Sequence, residues 1–243
     1  MIKVSIVVPC FNEQETISDM VDCLSSSKEK DFELILVDNG SEDQTGEIIR
    51  RSDENYKFVK AVYLEKNIGY GGGIKAGLEV ATGKYIAWTH ADMQTLPSDV
   101  FKIINLHYKQ LNNKNVFKGK RISKRTFLER TITKFFEQIF QLITKVKIRE
   151  INAQPKVFNK SVMKKLDFTS MPDDFTFDMY FLLLCQSNGI KIMEHEVFFY
   201  KRKFGEAKGG GGSGLYQKFK LGLVFLRQIM TIKRKLEDEN SST

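Results

Sequence analysis

At 243 residues, with 42% hydrophobic and 28% charged side chains, the chain can build one domain with a real core and has the composition of a soluble globular protein. No apolar run nears the roughly 20 residues that cross a bilayer. Three scattered cysteines (Cys10, Cys23, Cys185) and three histidines argue against a disulfide framework or a zinc cage, and the start MIKVSIVVPC reads as a strand rather than a secretion signal, so a reduced, cytoplasmic protein is expected. The net charge of +8 is uneven. Residues 1–100 carry 10 basic and 17 acidic side chains (−7), residues 101–165 carry 17 and 3 (+14), and residues 166–243 carry 11 and 10 (+1). A basic middle third calls for an anionic partner such as phosphate, a membrane surface or nucleic acid, unless it is a solvated lysine-rich face.

In chain order, Val4 to Val8 is an apolar, β-branched run ending at Pro9, the pattern of a buried parallel strand. Ile17, Met20, Val21 and Leu24 give helical spacing over Glu15 to Ser26. Phe32 to Val37 is a second strand, Thr45 to Arg51 a helix and Val59 to Leu64 a third strand. Gly69 to Gly73 is expected as a loop before a helix from Ile74 to Ala81, and Tyr85 to Trp88 as a fourth strand. This alternation predicts an open, mostly parallel α/β sheet flanked by helices, whose ligand sits beyond the carboxyl ends of the strands. Polar clusters fall at those ends: Asn12-Glu13, Asp38-Asn39, Asn67 and His90 to Gln94.

Beyond residue 98 the expected elements are a helix from Asp99 to Leu111 capped by Ser98, and a strand from Val116 to Arg121 leaving the sheet into a basic loop. An apolar-faced helix over Phe127 to Val146, a strand at Val157-Phe158, a buried helix from Phe175 to Gln186 and a strand from Ile190 to Tyr200 follow. Gly209 to Gly214 reads as a hinge before a basic amphipathic helix from Leu215 to Leu236. Residues 1–208 are thus one domain, with a nucleotide half over 1–100 and an acceptor half over 101–208, and residues 209–243 are the hinge, helix and tail. The helix over Phe127 to Val146 can meet an anionic membrane or pack its apolar face on the domain's own sheet, and the helix after Leu215, the better membrane candidate, can otherwise pair with a second copy.

The chemistry is densest at Thr89-His90-Ala91-Asp92-Met93-Gln94. In extended chain Asp92 and Gln94 would point the same way and could share one cation. Oxygen donors suit Mg²⁺ or Mn²⁺ bridging to a diphosphate. Asp178 is a candidate base should the acceptor be a hydroxyl; a helix-start acid is the alternative.

VVPCFNE, VDNGSED, NIGYGGGIKAG and WTHADMQTLPSD together resemble the inverting, family 2 glycosyltransferases of GT-A fold, with closest likeness to dolichyl- and polyprenyl-phosphate sugar synthases. The resemblance implies a metal-dependent hexosyltransferase that moves a sugar from a UDP- or GDP-linked donor to a polyprenyl-phosphate or glycan acceptor in cell-envelope or glycoconjugate synthesis. It implies that Pro9, Phe11 and Glu13 line the nucleotide site, that Asp38 meets the base, and that Asp92 and Gln94 hold the metal. It also implies that Arg202 and Lys208, within Lys201 to Lys208, meet phosphate near the acceptor. Arg121, the last residue of the strand expected from Val116, joins them as a phosphate candidate, and His90 joins the nucleotide set. The departures are His90, where the family has the first aspartate of Asp-x-Asp, Asn39 for a frequent second aspartate, and Ile151 to Lys156 for a Gly-Phe-Arg segment. A sugar nucleotidyltransferase or a non-catalytic nucleotide-sugar-binding relative are the alternatives. A dehydrogenase is disfavoured because the glycines follow the third strand, and a nucleic-acid binder because it leaves the strand-end acids unexplained.

Overall fold

The computed structural model describes residues 3–122, 131, 135, 138–139, 141–144, 150–204 and 230. Its contacts divide the chain into one unit of Met1–Ser123 with Asn152–Gly205 and a second of Lys124–Ile151 with Glu206–Thr243. In the second unit the described residues from Thr131 to Thr144, and Met230, are helical. The hinge expected at 209–214, Lys208, and almost all of the two basic helices lie outside the described residues.

The first unit is a seven-stranded sheet of order β3-β2-β1-β4-β6-β5-β7. Its strands are β1 (Val4–Cys10), β2 (Phe32–Asn39), β3 (Val59–Leu64), β4 (Tyr85–Trp88), β5 (Asn115–Ile122), β6 (Lys156–Asn159) and β7 (Lys191–Phe198). Strands β1 to β4 run parallel, β6 lies antiparallel between β4 and β5, and β7 pairs parallel with β5. The helices are α1 (Ile17–Ser25), α2 (Thr45–Asn55), α3 (Tyr70–Val80), α4 (Asp99–His107) and α5 (Phe177–Ser187). The expected mostly parallel, helix-flanked sheet is thus present.

The central strands carry apolar residues on both faces because helices cover both. Ile6, Val7, Val8, Leu34, Ile35, Leu36 and Val37 are fully buried, each contributing about 1.5–3 kcal/mol of transfer free energy. Pro9 does not end β1 as expected. Strand β4 stops opposite Val7, so beyond that point β1 has a hydrogen-bonded neighbour only in β2, and a residue without an N–H is tolerated.

Three expectations need correction. The glycines after Gly69 are not a loop: α3 begins at Tyr70, and Gly71, Gly72 and Gly73 are buried inside it. A Cβ on Gly71 would lie 2.3 Å from the Pro172 carbonyl oxygen and 2.9 Å from Phe177 Cβ, so close approach to the start of α5 selects glycine despite its poor helix propensity. Strand β5 does not leave the sheet but is held between β6 and β7. Ser98 sits at the N-cap of α4 without a side-chain capping bond, and that helix ends at His107. Helix α2, by contrast, runs on to Asn55, with Arg50 and Arg51 paired to Glu47 and Arg50 to Glu54 along its exposed face.

Candidate functional site

The carboxyl ends of β1, β2 and β4 open on the same side, and the loops that leave them are tied together by side chains. After β1, Asn12 takes a left-handed backbone (φ 52°) and its Oδ1 accepts the Glu42 N–H at 2.8 Å. The Asn12 N–H donates to Ser41 Oγ at 3.0 Å, and the Glu13 N–H to Thr45 Oγ1 at 2.7 Å. Pro9, Phe11 and Glu13 therefore sit on a loop whose path is fixed by the loop after β2. Asp38, the penultimate residue of β2, is buried and accepts the Ser41 N–H at 3.0 Å. Its other oxygen faces Gly46, where a Cβ would come within 2.5 Å. Asn39 donates to Asn67 Oδ1 at 3.2 Å and to the Gly69 carbonyl at 2.9 Å, and accepts the Ile68 N–H at 3.0 Å. It fastens β2 to the entry of α3, a task an amide can perform and a carboxylate cannot.

Beyond β4 the chain is not extended, because Met93 has φ 55°. The shared direction expected of Asp92 and Gln94 from strand geometry is replaced by a turn in which Asp92 Oδ1 accepts the Gln94 N–H at 3.0 Å. Asp92 Oδ2 receives Arg202 Nη2 at 2.5 Å, with the Asp92 side chain 7% and the Arg202 side chain 23% exposed. Two further bonds clamp the segments together: the Tyr200 N–H to the Gln94 carbonyl at 2.8 Å, and Gln94 Nε2 to the Tyr200 carbonyl at 3.2 Å. Sequence reasoning placed Asp92 with the metal and Arg202 with the acceptor; in the fold they touch.

A second cluster lies beside the first and centres on Asp178 in the first turn of α5, a buried residue. Asp178 Oδ1 accepts from the Trp88 indole at 2.9 Å and lies 3.3 Å from Lys156 Nζ. Asp178 Oδ2 accepts from Gln154 Nε2 at 2.6 Å and from the Tyr70 hydroxyl at 3.3 Å. Gln154 Nε2 also donates to Tyr70 Oη at 2.9 Å and lies 3.4 Å from His90 Nε2. Among the described residues, its buried Oε1 has no hydrogen-bond partner. Two departures noted in the sequence, His90 and Gln154, therefore meet in space. Tyr70 links them further, edge-on to His90 and stacked on the exposed Phe175.

The electrostatics follow from this crowding. Burial pushes the His90 imidazole down, against the pull of Asp92 and Asp178 and with the help of Lys156 and Arg121, so it is neutral near pH 7. Burial lowers Lys156 to about 8, with Asp178 opposing the shift and Lys118 adding to it. Burial and the Asp178 charge push the Tyr70 phenol well up. Lys118, also fully buried, lies 3.3 Å from Glu194. Two charges of the basic middle segment are thus internal rather than displayed to a partner. Arg121, at the end of β5, places its guanidinium over the Phe199 ring at 4.9 Å.

Tyr70, Trp88, Gln154 and Lys156 were not anticipated as site residues. The unusual Ile151 to Lys156 segment signalled Gln154 and Lys156, and Tyr70 and Trp88 lie inside the quoted motifs NIGYGGGIKAG and WTHADMQTLPSD, but the partners of all four are far away in sequence. Among the described residues no three His, Cys, Asp or Glu side chains form a metal cage. Asp92 and Gln94 have the oxygen chemistry of a cation site whose remaining ligands come from a diphosphate and water, as those of Mg²⁺ commonly do, but in this conformation both Asp92 oxygens are engaged, one by the Gln94 N–H and one by Arg202.

The family model for glycosyl transferase family 2 matches residues 5–167. A dolichyl-phosphate beta-glucosyltransferase of Dictyostelium discoideum is 27% identical over 218 residues, 81% of this chain and 66% of that protein. An undecaprenyl-phosphate 4-deoxy-4-formamido-L-arabinose transferase of an Enterobacter species is 33% identical over 106 residues, 42% of this chain and 32% of that one. The chain thus spans less than two thirds of the length of these relatives. Among solved structures, glucosyl-3-phosphoglycerate synthase of Mycobacterium tuberculosis, crystallised with Mn²⁺, uridine diphosphate and glucosyl-3-phosphoglycerate, superposes with a TM-score of 0.69 at 14% identity, covering 95% of this chain and 78% of that one. The fold is shared with this GT-A-type neighbour.

Proposed function

We propose that this chain, which belongs to glycosyl transferase family 2, transfers a sugar from a UDP- or GDP-linked donor to a polyprenyl phosphate with inversion at the anomeric carbon. The observation that carries the reading is the meeting of Asp92 and Arg202 at the carboxyl end of β4, where an open α/β sheet binds its ligand. The named relatives that act on dolichyl and undecaprenyl phosphates support the acceptor class.

In this reading Pro9, Phe11, Glu13 and Asp38 bound the nucleoside, and His90 and Asp92 face the diphosphate. Asp92 with Gln94 would hold Mg²⁺ or Mn²⁺, which when bound neutralises charge developing on the departing nucleotide. Arg202 offers a two-pronged donor to phosphate oxygens, with Arg121 as a further phosphate contact. A phosphate acceptor is already anionic at neutral pH and needs no base. That suits Asp178, whose oxygens are taken by Trp88, Gln154, Tyr70 and Lys156. Asp178 is then a positioning residue that fixes Tyr70 and Gln154 beside His90, rather than a base. The acceptor is a lipid, so the chain works at a membrane surface. Among the described residues no helix is long and apolar enough to cross one.

Calorimetric titration of UDP- and GDP-sugars with Mn²⁺, then with chelator, tests the donor site beside Asp92→Asn. Metal-dependent binding of one nucleotide, lost in the variant, is expected. Binding of neither by folded protein would refute the assignment. Transfer of labelled sugar to a short polyprenyl phosphate, with no transfer to soluble glycans, tests the acceptor.

A further inference from the structure

Each oxygen of Asp92 already has a partner. Oδ1 accepts the Gln94 N–H, and Oδ2 is held by Arg202. Arg202 is not there by chance of an extended side chain, since the segment that follows β7 is pinned to the Asp92 turn by two bonds between Tyr200 and Gln94, one to the Gln94 carbonyl and one from its side-chain amide. The guanidinium therefore stands at the carboxylate oxygen that a cation would need. A metal ion and a guanidinium at that oxygen repel one another strongly where the carboxylate is only 7% exposed. A diphosphate resolves the conflict, because it offers the planar guanidinium a better bidentate partner.

We propose that Arg202 is a stand-in cation for Asp92: it holds the carboxylate until a donor diphosphate draws it away, so that divalent-cation binding is conditional on the nucleotide. The inference rests on the assignment of Asp92 to a metal under the proposed function. It makes the two ligands cooperative through a residue of the chain, in addition to any direct bond between them, and the coupling is reciprocal. Arg202 thereby positions the donor complex and couples the binding of its two parts.

The test reads metal affinity and not turnover. Free Mn²⁺ is followed by electron paramagnetic resonance in titrations of the wild type, Arg202→Ala and Arg202→Gln, first with Mn²⁺ alone and then with UDP or GDP. Loss of one charged hydrogen bond to the carboxylate corresponds to about a tenfold effect. Both variants are expected to bind Mn²⁺ alone about tenfold more tightly than the wild type, and the enhancement produced by nucleotide is expected to shrink. Adding Asp92→Asn to either variant should abolish the gain. The glutamine variant keeps much of the side chain's bulk, so agreement of the two separates the effect from a folding defect, which circular dichroism also monitors. Equal or weaker Mn²⁺ binding by both folded variants, still dependent on Asp92, would overturn the proposal while leaving the metal site standing. Absence of Mn²⁺ binding by every protein, with and without nucleotide, would overturn the metal assignment itself and this inference with it.

Discussion

Replacing Lys156 by methionine probes the buried cluster most directly. The ammonium is fully buried, 3.3 Å from Asp178 Oδ1 and 3.1 Å from the Ala153 carbonyl it donates to. Burial holds its pKa near 8, against 10.5 in the unfolded chain. Between those values the unfolded chain binds the proton and the folded chain does not, so stability is lowest below pH 8 and rises with pH through the window. Linkage from about pH 7.5 to about pH 9.5 gives a gain of about 2 kcal/mol. Removing one partner of a buried ion pair costs about 3–5 kcal/mol, part of which the methionine recovers by filling the space, leaving a net loss of about 2–3 kcal/mol near neutrality. The variant should also lack the rise with pH. Urea unfolding followed by the fluorescence of Trp88, the sole tryptophan, whose indole donates to Asp178, reports on the cluster itself. Equal stability of the two proteins near pH 7.5, or the same gain toward pH 9.5 in both, would refute the reasoning.

Asn39→Asp restores a residue frequent in the family, yet it sets a carboxylate oxygen against the Asn67 Oδ1 and Gly69 carbonyl acceptors. A loss of about 2 kcal/mol in urea unfolding is expected. Gly71→Ala drives a methyl into the Pro172 carbonyl and Phe177, so a destabilisation of about 1–3 kcal/mol, seen as a lower Tm, is expected together with weaker donor binding.

The strands were legible in the sequence because a strand buried on both faces is written as a local apolar run, and Phe32 to Val37 needs nothing else to be read. The start of α3 was not. A Gly-rich stretch has poor helix propensity, and only the approach of Pro172 and Phe177, about a hundred residues later, makes glycine the residue that fits. Asp92 was legible from its place after β4, but its orientation was not, since the turn at Met93 depends on a backbone angle that no spacing announces. The Asp178 cluster was least legible. Lys156 looked like one more basic residue in a basic segment, and its burial became visible only once β6 was seen paired to both β4 and β5.

That pairing of β6 reaches beyond the site. Trp88 faces Lys156 in the register of β4 with β6, so the strand that ends at the Asp92 turn and the strand that begins at the Gln154 cluster are neighbours in one hydrogen-bonded sheet. The two sides of this unit therefore cannot part like jaws to admit a substrate or expel a nucleotide. Any opening has to come from the loops. For an engineer, the sheet also sets the rule for exchange: a foreign segment can be grafted in place of β6 only if it restores this register, because a slip of one residue would turn Lys156 away from Asp178 and a neighbouring side chain into its place.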